Sequence, residues 1–217
     1  VTITANWTIN QYTITFDSAG GTAVSSITQD YGTAVVTPDT PTKTGYTFAG
    51  WDTSVPTTMP AGNMALTAQW QINIYTLSYA AGANGTIAGV TSQSVEYLNA
   101  GSAVTAVPDT GYHFVKWSDE STANPRTDSA ITEDLSVTAV FEINTYTVTF
   151  KDWNGTALKT QTVSYGTDAV SPENPTRNGY TFTGWDKGYT GVTSDLEVTA
   201  LYSINKYTIT FDVDGGS

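Results

Sequence analysis

Apolar and hydroxyl-bearing positions alternate through most of this chain. Tyr12, Ile14 and Phe16 fall on one parity, Thr13 and Thr15 on the other. Period two is the mark of a strand with one packed face and one wet face. Met64, Leu66, Ala68 and Trp70 alternate in the same way with Thr67 and Gln69. Leu135, Val137, Ala139 and Phe141, and later Leu196, Val198, Ala200 and Tyr202, keep that phase. Leu, Glu, Lys and Arg are scarce, so local preference opposes helix over most of the length.

The alternating segments recur. Tyr12-Thr-Ile-Thr-Phe16 returns as Tyr75-Thr-Leu-Ser-Tyr79, Tyr146-Thr-Val-Thr-Phe150 and Tyr207-Thr-Ile-Thr-Phe211. Gly45-Tyr-Thr-Phe-Ala-Gly-Trp51 returns at 111–117 and 179–185, and Leu66-Thr-Ala-Gln-Trp70 at 137–141 and 198–202. Ile3-Thr-Ala-Asn-Trp7 matches that last marker. Self-similarity at this period signals a repeat architecture. It predicts the end of one repeat at 1–9, whole repeats at 10–72, 73–143 and 144–204, and the start of another at 205–217.

Each repeat predicts four strands, here Tyr12–Phe16, about Val24–Tyr31, Tyr46–Trp51 and Met64–Trp70. Val1 is read as lying inside a strand-like segment. Two prolines between the second and third strands oppose a regular helix. Tyr46 and Phe48 share a parity that Trp51 does not, so a bulge near Gly50 would bring all three to one side. Lys116 replaces that glycine in the middle repeat, which leaves its bulge open. From each closing aromatic to the next Tyr is a fixed step: Trp7 to Tyr12, Trp70 to Tyr75, Phe141 to Tyr146 and Tyr202 to Tyr207. Each step carries Ile-Asn and no Gly or Pro, unlike a flexible linker. The inward parity is expected to change across the Asn, giving a semi-rigid, elongated string. Three units in line would reach on the order of 100 Å by size scaling.

Charge and composition narrow the function. A net charge of −12 repels phosphate backbones and anionic headgroups, so nucleic acid and membrane surfaces are disfavoured partners. With no cysteine there is no disulfide, thiol chemistry or Cys-based zinc site. No apolar run is long enough to span a bilayer, so a signal or anchor is expected outside these residues.

Candidate chemistry is sparse. The single histidine, His113, falls on the outward strand position of Thr47 and Thr181, and without a nucleophile beside it makes no triad. Asp212-Val-Asp214-Gly215 resembles the start of a calcium loop, but the matching turns at Asp17 and Lys151 do not repeat its acidity. Asp119-Glu120 and Glu133-Asp134 are read as a solvated loop, with weak calcium binding as the alternative. Nothing signals the cleft and perturbed carboxylate pair of a glycosidase. Asn6, Asn84 and Asn154 open glycosylation sequons, the last two also being Asn-Gly turns. The lysines recur at no shared position that would suggest Lys–Asn cross-links, and no polar cluster is expected to recur. Trp51, Trp117 and Trp185 recur at equivalent places and read as core. Trp153 stands alone in a turn and is the one candidate ligand-binding residue. No catalytic residue, metal site or cofactor is expected, and the chain is not read as an enzyme.

The run Pro-Thr-Lys-Thr-Gly45-Tyr-Thr-Phe-Ala-Gly-Trp51, with its flanking markers, resembles the Listeria–Bacteroides repeat, the B-repeat of internalin-type surface proteins. Residues 12–70 and 146–202 match closely. Residues 75–141 resemble the divergent form, keeping Val107-Pro-Asp-Thr-Gly111 in place of the Pro-Thr-Lys run. The resemblance implies a mainly β fold, with β-grasp-like, ubiquitin-related units holding little or no helix. It also implies an extracellular place on the bacterial surface and a role as an adhesion stalk. The alternative is that the repeats themselves bind host-cell, matrix or carbohydrate ligands. Expected partners are other repeats and a head domain of the same chain, with a host or matrix glycoprotein under the alternative, and a monomeric state.

Overall fold

The computed structural model of the chain describes residues 1–212 and 214–215, and every regular element among them is a strand. The first repeat contributes β1 (Gln11–Asp17), β2 (Ile27–Asp30), β3 (Tyr46–Trp51) and β4 (Met64–Ile72). The middle repeat contributes β5 (Ile74–Ala81), β6 (Gly85–Ala88), β7 (Ser92–Glu96), β8 (Thr105–Pro108), β9 (Tyr112–Trp117) and β10 (Leu135–Ile143). The third contributes β11 (Thr145–Lys151), β12 (Ala157–Ser164), β13 (Tyr180–Trp185) and β14 (Leu196–Ile204).

Three four-stranded sheets share one plan, ordered β2-β1-β4-β3, β7-β5-β10-β9 and β12-β11-β14-β13. In the first and third, the opening and closing strands lie side by side at the centre and run parallel. Ile14 stands opposite Met64, and Val148 opposite Leu196. The outer pairs are antiparallel. Parallel neighbours cannot be joined by a tight turn, so the chain runs out through both edge strands before the closing strand returns to the centre.

Contacts divide the chain into two compact units. One comprises residues 1–79, 89–105 and 125–137. Its first core gathers Ile14, Met59 and Leu66, with Tyr12, Phe16, Ile27 and Trp51 packed around them. Phe16 and Phe48 meet Trp51 with ring centres 4.9 and 5.4 Å apart. Leu77, Tyr79, Val95 and Val104 are buried elsewhere in this unit. The other unit comprises residues 80–88, 106–124 and 138 onward. Val148, Phe150, Ala169, Val192 and Val198 form its core, flanked by Trp185 and Tyr189. Trp117, also in this unit, is fully buried and donates its indole N–H to the Ala123 carbonyl at 2.9 Å. The three recurring tryptophans are therefore core residues.

The bulge expected near Gly50 is present: pairing of β3 with β4 skips Ala49, and Gly50 has φ 118°. Gly184 repeats it with φ 138°. In β9 the pairing skips Val115, so the bulge survives with Lys116 in the glycine's place and without the positive φ. Inward parity does change at the junctions. Leu66 and Ala68 are buried on β4, Leu77 and Tyr79 on β5, with Asn73 between the two strands.

Three expectations need correction. β2 is shorter than Val24–Tyr31: its pairing with β1 runs only from Ile27 to Asp30, while ahead of it Thr22 N–H donates to the Thr42 carbonyl at 2.8 Å and Thr42 N–H to Thr22 Oγ1 at 2.9 Å. The middle repeat has six strands rather than four, β6 and β8 forming a separate pair. Residues 1–7 and 207–211 form no strand, and Ile3, Trp7, Tyr207 and Phe211 are exposed. An alternating pattern folds as a strand only against partner strands and a core, and no described residue pairs with these segments. The calcium-like run at Asp212 includes Val213, which lies outside the described residues.

Candidate functional site

The residues with chemical potential are already engaged in structure. Lys116 pairs with Glu120 at 2.7 Å, and Ser121 N–H donates to Asp119 Oδ1 at 3.3 Å. Asp134 Oδ1 accepts the Thr76 N–H at 2.7 Å from its exposed place in the loop just before β10. Among the described residues no group of three or more His, Cys, Asp or Glu is placed to hold a metal. A shallow surface hollow lies between Ala23–Ile27 and Val36–Asp39, and Asp39 is its one titratable side chain.

Trp153 is 52% exposed in the turn after β11. The Arg177 guanidinium lies 3.9 Å from the centre of its ring and 3.6 Å from that of Tyr180, so the guanidinium covers one face of the indole. Tyr202 donates its hydroxyl to Asp152 Oδ1 at 2.7 Å beside this stack. Its pKa is pushed up to about 12 by partial burial, then by that hydrogen bond and the Asp152 charge, with Arg177 opposing. In the first repeat Lys43 takes the place of Arg177, lying 4.5 Å over the Tyr46 ring and donating to the Ala19 carbonyl at 3.1 Å.

A polar set does recur, contrary to the expectation that none would, and it serves the backbone. Asn63, Asp134 and Asp195 immediately precede the closing strands. Each accepts an opening-strand amide through its Oδ1, from Thr13, Thr76 and Thr147 at 2.9, 2.7 and 2.8 Å. Asp52, Ser118 and Asp186 follow the recurring tryptophans and accept the amides of Thr67, Thr138 and Thr199 at 3.0, 3.0 and 2.6 Å. The signal was an Asn or Asp directly before the last strand of every repeat.

The most distinctive construction is the joint built on the junction asparagines. Asn73 N–H donates to the Gly45 carbonyl at 2.9 Å, and the Asn73 carbonyl accepts Tyr97 N–H at 2.9 Å. Asn144 makes the same pair of bonds, to Gly111 and from Tyr165, at 2.8 and 2.8 Å. Asn205 repeats the first bond, to Gly179 at 2.9 Å, and Asn10 the second, from Tyr31 at 2.9 Å. The side chain is held too. Asn73 Oδ1 accepts Thr47 Oγ1–H at 2.7 Å, Asn205 Oδ1 accepts Thr181 Oγ1–H at 2.7 Å, and His113 Nδ1 lies 2.8 Å from Asn144 Oδ1. His113 is thus exposed on its strand and takes the threonine's part in the joint. At each closed joint a tyrosine ring lies against the glycine. A Cβ on Gly45 would fall 2.0 Å from Tyr97 Cδ1, and one on Gly111 2.3 Å from Tyr165 Cδ1. Positive φ (78° and 85°) and this close approach both call for glycine.

Residues 12–69 and 146–205 match the Listeria-Bacteroides repeat domain, and residues 75–145 match the divergent InlB B-repeat domain. A protein of Evansella cellulosilytica described as a Gly-rich membrane protein is 32% identical over 241 residues, covering 100% of this chain and 27% of its own length. Internalin H of Listeria monocytogenes is 43% identical over 93 residues, 41% of this chain and 17% of its own length. The chain thus spans less than a third of either relative. Among solved structures, Streptococcal High Identity Repeats in Tandem domains 3-4 from a cell surface protein align over 62% of this chain and 98% of theirs. That alignment has 13% identity and a TM-score of 0.24, too slight a likeness to build on. The chain belongs to the Listeria-Bacteroides repeat family, two repeats of that type flanking one divergent B-repeat.

Proposed function

We propose that this chain is a non-enzymatic spacer in a bacterial cell-surface protein, holding an adhesive head away from the cell. The supporting observation is the junction. Closing strand, asparagine and opening strand follow one another without a spare residue, and the asparagine is bonded to the repeat before it and the repeat after it at both closed joints. A tether meant to swing would place Gly, Ser or Pro there. Cell-surface residence is supported by the family and by the internalin relative.

Small-angle X-ray scattering tests the spacer reading. Three units in line give a radius of gyration near ~30 Å, whereas a compact body of this length gives ~17 Å. A value near the lower figure sinks the spacer.

A second reading, in which the repeats bind a ligand themselves, is favoured by the exposure of Trp153. Aromatic faces are common platforms for sugars and cations. Saturable binding on a glycan and matrix-protein array, weakened by Trp153→Ala, would support it.

A further inference from the structure

The first and third repeats keep one register, so their side chains can be matched. Ile14 stands against Ile27 and Met64, and Val148 against Gln161 and Leu196. Gly32 and Val35 donate their amides to the Met59 and Thr57 carbonyls, as Gly166 and Ala169 donate to those of Val192 and Tyr189. Ser25 and Ile27 therefore answer to Lys159 and Gln161, and Val36 answers to Val170.

In the third repeat two side chains bridge these segments. Lys159 Nζ and Gln161 Nε2 both donate to the Val170 carbonyl, at 2.7 and 2.9 Å. In the first repeat serine is too short to cross, and isoleucine has no donor. The Gln29 amide donates to the Thr33 and Ala34 carbonyls instead. Among the described residues none donates to the Val36 carbonyl. The shallow hollow between Ala23–Ile27 and Val36–Asp39 lies across the gap that the bridge spans in the third repeat. The neighbouring ring differs as well. Phe150, set against Lys159, is fully buried, whereas Phe16 is only half-buried.

We propose that this hollow binds a lysine side chain presented by a partner polypeptide. The ammonium donates to the Val36 carbonyl as Lys159 does to Val170, and the alkyl stem lies along Val24 and Ile27. Asp39 lines the hollow and the chain carries a net charge of −12, so both the local and the overall charge favour a cation. The site is separate from Trp153, and a spacer can carry it.

Titration of the 217-residue chain with a blocked Ala-Lys-Ala tripeptide, followed by amide NMR, tests the assignment. Saturable shifts should centre on residues 23–27 and 36–39. The norleucine analogue keeps the stem and lacks the charge. It should bind at least about tenfold more weakly, the worth of one hydrogen bond to a charged group. Ser25→Lys with Ile27→Gln rebuilds the bridge of the third repeat and should abolish the shifts. Ser203→Lys, which adds the same charge elsewhere, should leave them in place. Equal binding of the norleucine peptide overturns the proposal, because the hollow would then be merely apolar. So does the lack of saturable shifts in the parent chain, or undiminished binding by a rebuilt variant with a folded, dispersed spectrum.

Discussion

The Arg126 guanidinium holds the Asp128 carboxylate two residues along the chain, with Nε 2.7 Å from Oδ2 and Nη2 2.7 Å from Oδ1. The Tyr79 hydroxyl donates to the same Oδ2 at 2.7 Å. Burial, and then this bond, raise the Tyr79 pKa well above its ordinary value. Both charged side chains are largely out of water, at 6% and 18% exposure. Removing one partner of such a pair leaves a charge without compensation. Arg126→Met should therefore cost roughly 3–5 kcal/mol in urea unfolding. Replacing both, Arg126→Met with Asp128→Leu, should recover much of that. A single-variant cost under about 1 kcal/mol would show that the pair is incidental.

Tyr202 provides a pH dependence with a definite sign. Its pKa in the folded chain, about 12, lies above the unfolded value of 10.0. The folded state therefore favours the neutral phenol. That contribution is complete below pH 10 and is lost as pH rises through about 12. The stability gap between the parent chain and Tyr202→Phe should narrow between pH 9 and pH 12, measured by denaturant unfolding. Parallel stability curves would contradict the assignment.

The strand-terminating carboxylates predict a local effect. Asp195→Ala strips the Thr147 amide of its acceptor, at a cost of about 1 kcal/mol. Hydrogen exchange at Thr147 should accelerate, and Asp195→Asn, which keeps the Oδ1 acceptor, should restore protection. Unchanged exchange in the alanine variant would mean that solvent serves the amide equally well.

Arg177 sits between two rings and Trp153 contributes one of them. Trp153→Ala should cost about 0.5–1 kcal/mol, and Arg177→Ala more, since both stacking contacts then go. Thermal unfolding of the two variants separates these cases. Equal losses would place most of the value of the stack on the Trp153 side.

The strands of the first and third repeats were legible because period-two burial leaves a direct trace. β3 emerges at Tyr46–Trp51 as expected, and the parity conflict at Trp51 pointed to its bulge. What was hidden depends on partners distant in sequence. Asn63 caps Thr13 from 50 residues away, and an Asn before a strand otherwise reads as a turn residue. The bonding of Thr22 to Thr42 ahead of β2 joins residues 20 apart, which no local pattern announces. His113 looked like an unremarkable replacement for threonine, because what the joint requires is a group that can bond Asn144 Oδ1, a property the two residue types share. Exposure of Trp153 could be guessed from its turn, but not the arginine lying on its face.

The parallel pairing of opening and closing strands has a mechanical consequence. β1 and β4 run the same way, with Ile14 to Asp17 set against Met64 to Thr67. Tension pulling back on the start of β1 and forward on the end of β4 slides one strand along the other. The hydrogen bonds between them then bear the load together, in shear, instead of peeling apart one at a time from an end. β11 and β14 repeat the arrangement. Each such sheet thus resists stretching most strongly along the line on which the backbone enters and leaves it.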